Sequence, residues 1–555
     1  MAAALLASCG GEATPAVTPV PTARPTIPPA LATAVAEPGR PAPSAPAAAA
    51  SPAAGPPTAT PPPAGGRPSV FTWAIEQDPG SFDNQHEVGQ SAVDTQEHVF
   101  ESLTAFDEKL EPVPSLARSF DRSADGMSYR FGLEPSARFH DGSELTAEDV
   151  RWTFDRLLSP ELRSPWADSW LEPVRGATVI DKLTVRVDLK RPFPHLPAVL
   201  AALRGSAILP RDLDRRADVR TQALGTGPFR LREYRPGERI VYERNREYRN
   251  RDQPKIDGMV ARVIPDEQER AQAVRSGQID YATFSPQVMS QLQGAPDLRL
   301  LGTPLAWIGT VAFPFQQFPQ FRDPRVRKAF SLAVDREEVI KRSLLTAGRL
   351  SGNVPTGFGD WALAEPELKE PLRRDVGAAR QLMAEAGFRD GKGFPKVRLI
   401  ASRQYPELVT NAQVLQGNLR ELGLETDVLV MEWGAYVALT TKGDHELGMQ
   451  IASFYPDPDL YLWPIAHSRS LVGQRGYRHR NQEELDRLLD QVRSGLGTRE
   501  ERRNQVHQID RMLLDDPPQL VLYARLNLEA VGSRVKGYLP SYTGRRPGFR
   551  TITLG

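Results

Sequence analysis

From about Ser69 onward, apolar residues recur in two patterns along this chain. One is the two-residue period of strands, and the other is the three- to four-residue spacing of helices. Stretches with alternating apolar residues predict strands at Val70–Ile75, 174–189, 259–265, 279–282 and 307–313. Segments with helical spacing follow several of them, and the one at 267–277 ends at a glycine. Strands that alternate with helices in this way predict an α/β body.

Capping residues sharpen the predicted helix ends. Thr146 with Asp149 predicts a capped helix through Leu157, and Asp323 followed by Pro324 predicts another helix start. The remaining predicted elements are helices from Asp335 to about Leu345, at 378–387 and at 414–422, with strands at 397–401 and 424–430. The second half of the chain is therefore also predicted to be α/β.

A glycine-rich stretch in mid-chain, Gly225-Thr226-Gly227-Pro228, predicts a tight turn. It leads into a predicted hairpin with strands at 229–234 and 240–243, joined by a turn at 235–238. Taken alone, this is an ordinary hairpin.

The wording of that stretch, GTGPFRL.EY.PGE.I.YERN..Y, resembles the mid-chain motif of family 5 extracytoplasmic solute-binding proteins, the oligopeptide- and dipeptide-binding proteins of ABC importers. Residues 139–150 closely match the family's "F.DG.plTAeDV". Residues 99–104, 279–282 and 323–330 match further motifs in family order. The resemblance spans about 70–554 and implies a class II periplasmic-binding-protein-like fold, with two lobes around a cleft and an extra small α/β sub-domain.

The resemblance also implies an assignment of segments. Lobe I is expected to comprise 69–110, 206–302 and 526–555, with the extra sub-domain at 111–205 packed on it. Lobe II is expected at 303–525. Two lobes of this kind close on a ligand by a hinge.

The N-terminal segment predicts export. Leu6-Ala7-Ser8-Cys9 resembles a lipoprotein lipobox in which Cys9 is lipidated, against the alternative of a chance cysteine in an alanine-rich leader. Residues 1–9 are too short for a basic region and an apolar core, so the true start is expected upstream. Residues 10–68 are rich in Pro and Ala and are predicted to be a disordered, extended tether.

The composition argues against several classes of protein and of functional site. Lys and Arg together equal Asp and Glu at 69 each, which gives no basic surface for nucleic acid. The single cysteine excludes a disulfide framework and a cysteine-based metal site. The eight histidines show no metal-ligand spacing, and no nucleophile elbow or phosphate loop is complete. We therefore expect no enzyme, no cofactor and no bound metal, with a hydrolase as a remote alternative.

Candidate ligand contacts follow from aromatic stretches and from the loop after the first strand, which forms one cleft wall in the family. They are Glu76, Trp307, Phe313, Phe454, Tyr455, Asp457 and Asp459. For each aromatic, a place in the core is the competing interpretation. The aromatic cluster at 433–436 resembles a turn of the family and is expected to be structural.

The loop at 454–459 departs from the family pattern. In peptide-binding members an aspartate near its start holds the peptide α-ammonium, and alignment puts Phe454 there. A phenyl ring cannot form that ion pair, and a cation–π contact is a weaker substitute. An aromatic there would suit a sugar face or an apolar group, unless Asp457 swings in to serve the ammonium.

The implied function is a monomeric, lipid-anchored extracytoplasmic binding protein. It would capture a peptide or similar small solute and deliver it to an importer permease with its cytoplasmic ATPase. A second hypothesis is the same fold acting as a surface adhesin, chaperone or sensor without transport.

Overall fold

The computed structural model describes residues 69–345, 347–443, 445–452, 455–543 and 545–555. The predicted lipobox with Cys9, the tether 10–68 and the residue Phe454 lie outside this part of the chain. The strands are β1 Val70–Ile75, β2 Thr104–Phe106, β3 Pro112–Pro114, β4 Ala117–Arg122, β5 Ser128–Leu133, β6 Val174–Asp181, β7 Thr184–Leu189, β8 Phe229–Arg235, β9 Arg239–Arg244, β10 Gly258–Val263, β11 Tyr281–Thr283, β12 Leu298–Ala312, β13 Gly348–Arg349, β14 Val397–Ser402, β15 Thr426–Met431, β16 Leu447–Ala452, β17 Gln519–Gly532, β18 Val535–Lys536 and β19 Thr553–Leu554.

The helices alternate with these strands over most of the body. They are α1 Gln90–Gln96, α2 Ala147–Leu157, α3 Leu196–Ala201, α4 Leu213–Arg216, α5 Glu267–Arg275, α6 Pro286–Gln291, α7 Pro324–Ala333, α8 Arg336–Leu344, α9 Glu365–Lys369, α10 Val376–Glu385, α11 Pro406–Arg420, α12 Trp433–Lys442, α13 Asp459–Ala466, α14 Leu471–Gln474, α15 Gln482–Ser494 and α16 Arg499–Asp515. Short 3₁₀ helices occupy Pro319–Arg322, Thr356–Trp361, Arg389–Gly391 and Pro547–Arg550.

One long sheet runs through the body in the order β15-β14-β16-β12-β17-β11-β1-β10-β9-β8, with β13 added beside β17. Its centre is the antiparallel pair β12 and β17, which stay together from Leu298 opposite Gly532 to Ala312 opposite Gln519. The register shifts between Pro304 and Ile308. The expected lobe boundaries at 302/303 and 525/526 fall inside these two strands, and they stay predictions.

A second, antiparallel sheet has the order β4-β5-β7-β6. Its inner face packs with α2 and α3 around a separate core that includes Phe131, Phe154 and Leu200. The α2 helix begins as predicted, because Asp149 accepts hydrogen bonds from the backbone N–H and the hydroxyl of Thr146 at 2.8 and 2.7 Å. These elements lie within the segment expected to form the extra sub-domain.

The glycine-rich stretch before β8 serves a different purpose from the predicted one. Neither Gly225 nor Gly227 has positive φ. A Cβ on Gly225 would lie 2.0 Å from the carbonyl oxygen of Val99, and one on Gly227 would lie 2.7 Å from that of His98. Both glycines therefore allow close backbone contact, which includes a 2.8 Å bond from Gly227 N–H to Val99 O.

Most predicted elements are present, with three differences in extent. The strand predicted at 307–313 begins at Leu298, because β12 pairs with β17 over its whole length. The helix predicted from 414 begins at Pro406. Residues 433–436 open the helix α12 rather than forming a turn.

Candidate ligand cleft

Aromatic side chains collect at one edge of the long sheet. The parallel strands β14, β15 and β16 end at this edge, and Tyr405, Trp433 and Tyr455 follow them by three, two and three residues. The rings of Tyr405 and Trp433 have centroids 5.4 Å apart. In open α/β sheets, ligands bind at the carboxyl ends of the strands. This edge is therefore the candidate wall of a ligand cleft.

Trp307 belongs to the same edge. Its neighbour Ile308 pairs with Ala452, the last residue of β16. The Trp307 ring is half-buried, and the Arg525 guanidinium lies 6.0 Å from its centroid. Arg525 in turn forms a 3.2 Å ion pair with Glu407 at the start of α11. The charge of this arginine is thus compensated within the protein.

Tyr455 contacts one ring across the candidate cleft, that of Trp170, and one ring of the nearby helix α13, that of Tyr461. Its ring centroid lies 6.4 Å from that of Trp170 and 5.5 Å from that of Tyr461. Trp170 follows α2 and packs against Trp166 at 5.7 Å. The Arg204 guanidinium lies 5.6 Å from each of these two indole rings. Trp170 therefore contacts the loop that carries Tyr455, and Trp166 and Arg204 pack against Trp170.

The two aspartates of the same loop are buried in a cluster of opposite charges. His195 places Nδ1 3.4 Å from Asp457 Oδ2 and Nε2 3.0 Å from Asp459 Oδ2. Arg502 approaches Asp457 to 3.1 Å, and Arg493 approaches Asp459 to 3.7 Å. The Asp459 side chain is fully buried, and its contact with His195 is an ion pair whose angle falls outside hydrogen-bond geometry. The cluster joins the start of α3 to α13, α15 and α16.

The charge states follow from this packing. Burial alone would lower the pKa of His195, but the carboxylates of Asp457 and Asp459 outweigh burial and raise it to about 9. Burial alone would raise the pKa of Asp457, but His195 and Arg502 outweigh it and lower the pKa. At neutral pH both partners are charged. Asp457 is therefore not open to a ligand ammonium in this conformation.

The other predicted contact residues lie in different surroundings. Glu76 follows β1 with its side chain 57% exposed, and it lies 3.4 Å from Arg270. Phe313 is buried among Phe315, Phe321 and Phe330, a position that favours a core role. The structure thus brings together Tyr455, Asp457 and Asp459, with Trp307 at the same sheet edge. Their roles as ligand contacts stay predictions.

Several residues of this region were missed from the sequence. Tyr405 follows a predicted strand, and so does Trp433, which the sequence indicated only as structural; the rule for the carboxyl ends of parallel strands could have placed both here. The pair Trp166 and Trp170, four residues apart, is a visible aromatic signal. His195 carries no local signal, since its partners lie far along the chain.

The long sheet with two α/β ends joined by β12 and β17 defines a two-lobed solute-binding protein. Its fold matches that of HbpA2 from Haemophilus parasuis with a TM-score of 0.76 at 19% identity, over 88% of this chain and 100% of that one. Residues 111–471 match the bacterial extracellular solute-binding proteins, family 5 Middle. The chain belongs to this family, as the sequence motifs indicated.

Curated relatives agree with that membership. The oligopeptide-binding protein AppA of Bacillus subtilis (strain 168) is 26% identical over 490 residues, covering 83% of this chain and 87% of the relative. Di/tripeptide-binding protein 4 of Pseudomonas aeruginosa (strain UCBPP-PA14) is 30% identical over 422 residues, covering 70% and 77%. Within the described residues, no helix combines the length and apolar character needed to cross a membrane.

Proposed function

We propose that this protein captures a peptide-sized solute in the cleft between its lobes and delivers it to the permease of an ABC importer. The observation that carries the proposal is the aromatic wall at the carboxyl ends of β14, β15 and β16, opposite Trp170. Such rings, with a few placed polar groups, are typical of small-molecule sites. The names of the relatives support a peptide or a solute of similar size.

The strands β12 and β17 supply the hinge in this proposal. Both pass from one α/β end of the sheet to the other, and their register shifts between Pro304 and Ile308. A shift of this kind bends and twists a strand pair. Trp170 and Tyr455 are already in contact in this conformation, so opening about this point would separate the Trp170 wall from the Tyr455 loop.

The binding function is tested by native mass spectrometry of the full chain, purified without denaturation. We expect a small solute to be released on unfolding. Adding it back should raise the melting temperature, because a ligand that binds only the folded state stabilises it. Turnover of peptides or glycosides that one carboxylate or serine substitution abolishes would contradict the proposal.

We further propose that a lipid on Cys9 holds the protein at the outer face of the cell membrane. A single acyl chain binds membranes only marginally, so stable anchoring implies more than one chain. Cys9→Ser should release the protein from membranes and leave solute affinity unchanged. The matched control is Ser8→Ala, which keeps the cysteine. Membrane attachment that survives Cys9→Ser would refute the anchor.

A further inference from the structure

We infer that Arg204 is the anion-binding group of the cleft and receives a carboxylate or phosphate group of the captured solute. The inference rests on the proposed solute-binding function and specifies the chemistry of its ligand. It starts from the surroundings of one guanidinium group.

Arg204 lies beside two aromatic rings and makes one hydrogen bond within the described part of the chain. Its guanidinium is 5.6 Å from the ring centroids of both Trp166 and Trp170, and it donates a 3.2 Å hydrogen bond to Gln90 Oε1. Burial and the neighbouring charge of Arg545 lower the pKa of Arg204 to about 10, so it remains charged at neutral pH. The Arg204 side chain is half-buried, and the rings around it supply no counter-ion.

Among the described residues, no carboxylate lies within ion-pairing distance of Arg204. The charge of Asp94 acts on Arg204, but Asp94 pairs with Arg546, and Gln90 donates a 2.7 Å hydrogen bond to Asp94. Glu97 likewise pairs with Arg545 at 3.0 Å. The acids around Arg204 therefore already have partners.

Arg204 lies next to a residue of the candidate cleft. Trp170, one of its two rings, is the residue that contacts Tyr455 on the opposite wall. The Trp170 indole nitrogen is buried and has no hydrogen-bond partner among the described residues, so it can donate to an incoming acceptor. A guanidinium beside an indole N–H suits a carboxylate or phosphate, both of which accept several hydrogen bonds.

The loop opposite offers a ligand no matching anion. Asp457 and Asp459 are paired with His195, Arg502 and Arg493. The cleft therefore combines one uncompensated cation with acids that are already neutralised, which favours an anionic solute over a cationic one.

The test is a thermal-shift and calorimetric comparison of matched probes with the full chain. One arm compares N-acetyl dipeptides with a free carboxylate, the same N-acetyl dipeptides as amides, and free-amine dipeptide amides. A second arm compares hexose phosphates with the parent hexoses. We expect stabilisation by the free carboxylates or by the phosphates, and the arm that responds identifies which anion is recognised.

Variants tie the effect to Arg204. Arg204→Gln should weaken binding of the stabilising anion about 10- to 100-fold, as expected for a charge-assisted hydrogen bond. Arg191→Gln is the control, since Arg191 also lies near a ring, Phe193 at 5.8 Å, but pairs with Glu172 at 3.0 Å. It should leave affinity unchanged. If Arg204→Gln does not fold, Arg204→Lys replaces it and should weaken binding by losing the planar fork.

The outcomes separate this inference from the proposed function. If amine or neutral probes bind and no anion does, solute binding stands and the anion site is wrong. If an anion binds and neither Arg204 variant weakens it, Arg204 is not the anion-binding group. If no probe in any arm binds and no solute co-purifies, both proposals fail.

Discussion

Two groups of charged side chains lie at the candidate cleft, and they differ in how their charges are compensated. Around Asp457 and Asp459, each carboxylate has at least two cationic neighbours among His195, Arg502 and Arg493. Around Arg204, tryptophan rings and one amide replace the expected carboxylate. A compensated cluster holds protein segments together, whereas an uncompensated charge is a candidate for ligand recognition.

The comparison also explains why acidic residues in a binding loop need not bind a ligand. The Asp457 side chain is only 11% exposed, and its Oδ1 accepts a 3.0 Å hydrogen bond from the backbone N–H of Asp459. Both oxygens are thus engaged before any solute arrives. We infer that this loop contributes its Tyr455 ring to the cleft more than its charge.

The largest expected effect comes from breaking the compensated cluster. His195→Ala would leave Asp459 with Arg493 alone, at 3.7 Å. Removing one partner of a buried ion pair typically costs about 3–5 kcal/mol, because a buried charge is left uncompensated. Urea unfolding followed by circular dichroism should show this loss. A variant as stable as the wild type would mean that the cluster contributes little.

The pH dependence of stability gives a second test of the same cluster. The pKa of His195 is raised from 6.5 to about 9, so its stabilising contribution is complete below pH 6.5 and is lost as pH rises through 9. A shift of this size corresponds to about 3 kcal/mol. The free energy of unfolding should therefore fall between these pH values in the wild type and fall less in His195→Gln. Equal slopes would contradict the assigned charge state.

At low pH the protonation of Asp457 should control how much the cluster stabilises the protein. The pKa of Asp457 is lowered, so its contribution is present above its unfolded value and is lost as pH falls below that value. The cluster should therefore be strongest between the unfolded pKa values of aspartate and histidine, about 3.9 and 6.5. A stability maximum outside this interval would point to other titrating groups.

Introducing a carboxylate that no protein cation already pairs with would test whether a free acid in this loop binds a ligand ammonium. Phe454→Asp restores the ammonium-binding group at the position that the family motif indicates. Binding of free-amine dipeptides should strengthen by about 1.5–3 kcal/mol, or roughly 10- to 100-fold, while N-acetyl dipeptides gain nothing. Calorimetric titration measures both.

A control in the same loop tests whether the family alignment assigns the ammonium-binding position to the correct residue. Asp457→Asn in the wild-type background should not abolish peptide binding, because Asp457 is paired with His195 and Arg502. Loss of tight free-amine binding in that variant would show that Asp457, rather than a residue at 454, serves the ammonium.

The smallest expected effect is at an exposed ion pair. Arg511 and Glu367 pair with side chains 54% and 40% exposed. Such pairs contribute about 0–1 kcal/mol, because water screens both charges. Arg511→Ala should therefore change the free energy of unfolding far less than His195→Ala. A loss as large as that of the buried variant would show that burial is not what separates the two.

The sequence by itself determined the α/β class, the order of most elements and the family. Local signals sufficed there, because alternation, helical spacing and capping pairs such as Thr146 with Asp149 act within a few residues. The ends of the elements were predicted less accurately than their order. The strand β12 is longer than predicted because its partner β17 lies far along the chain. The glycines of the hairpin motif were recognised, but their close contact with Val99 was not.

Which candidate residues come together, and which charges are compensated, depends on the tertiary fold. The loop motif indicated Asp457 and Asp459 as ligand contacts, but nothing in the sequence indicates that His195 lies beside both of them. Arg204 carries no signal in the sequence, because an arginine becomes notable only when its surroundings lack a counter-ion. The physical reason is that burial and pairing depend on segments distant in sequence, whereas motifs and periodicity report only on neighbours along the chain.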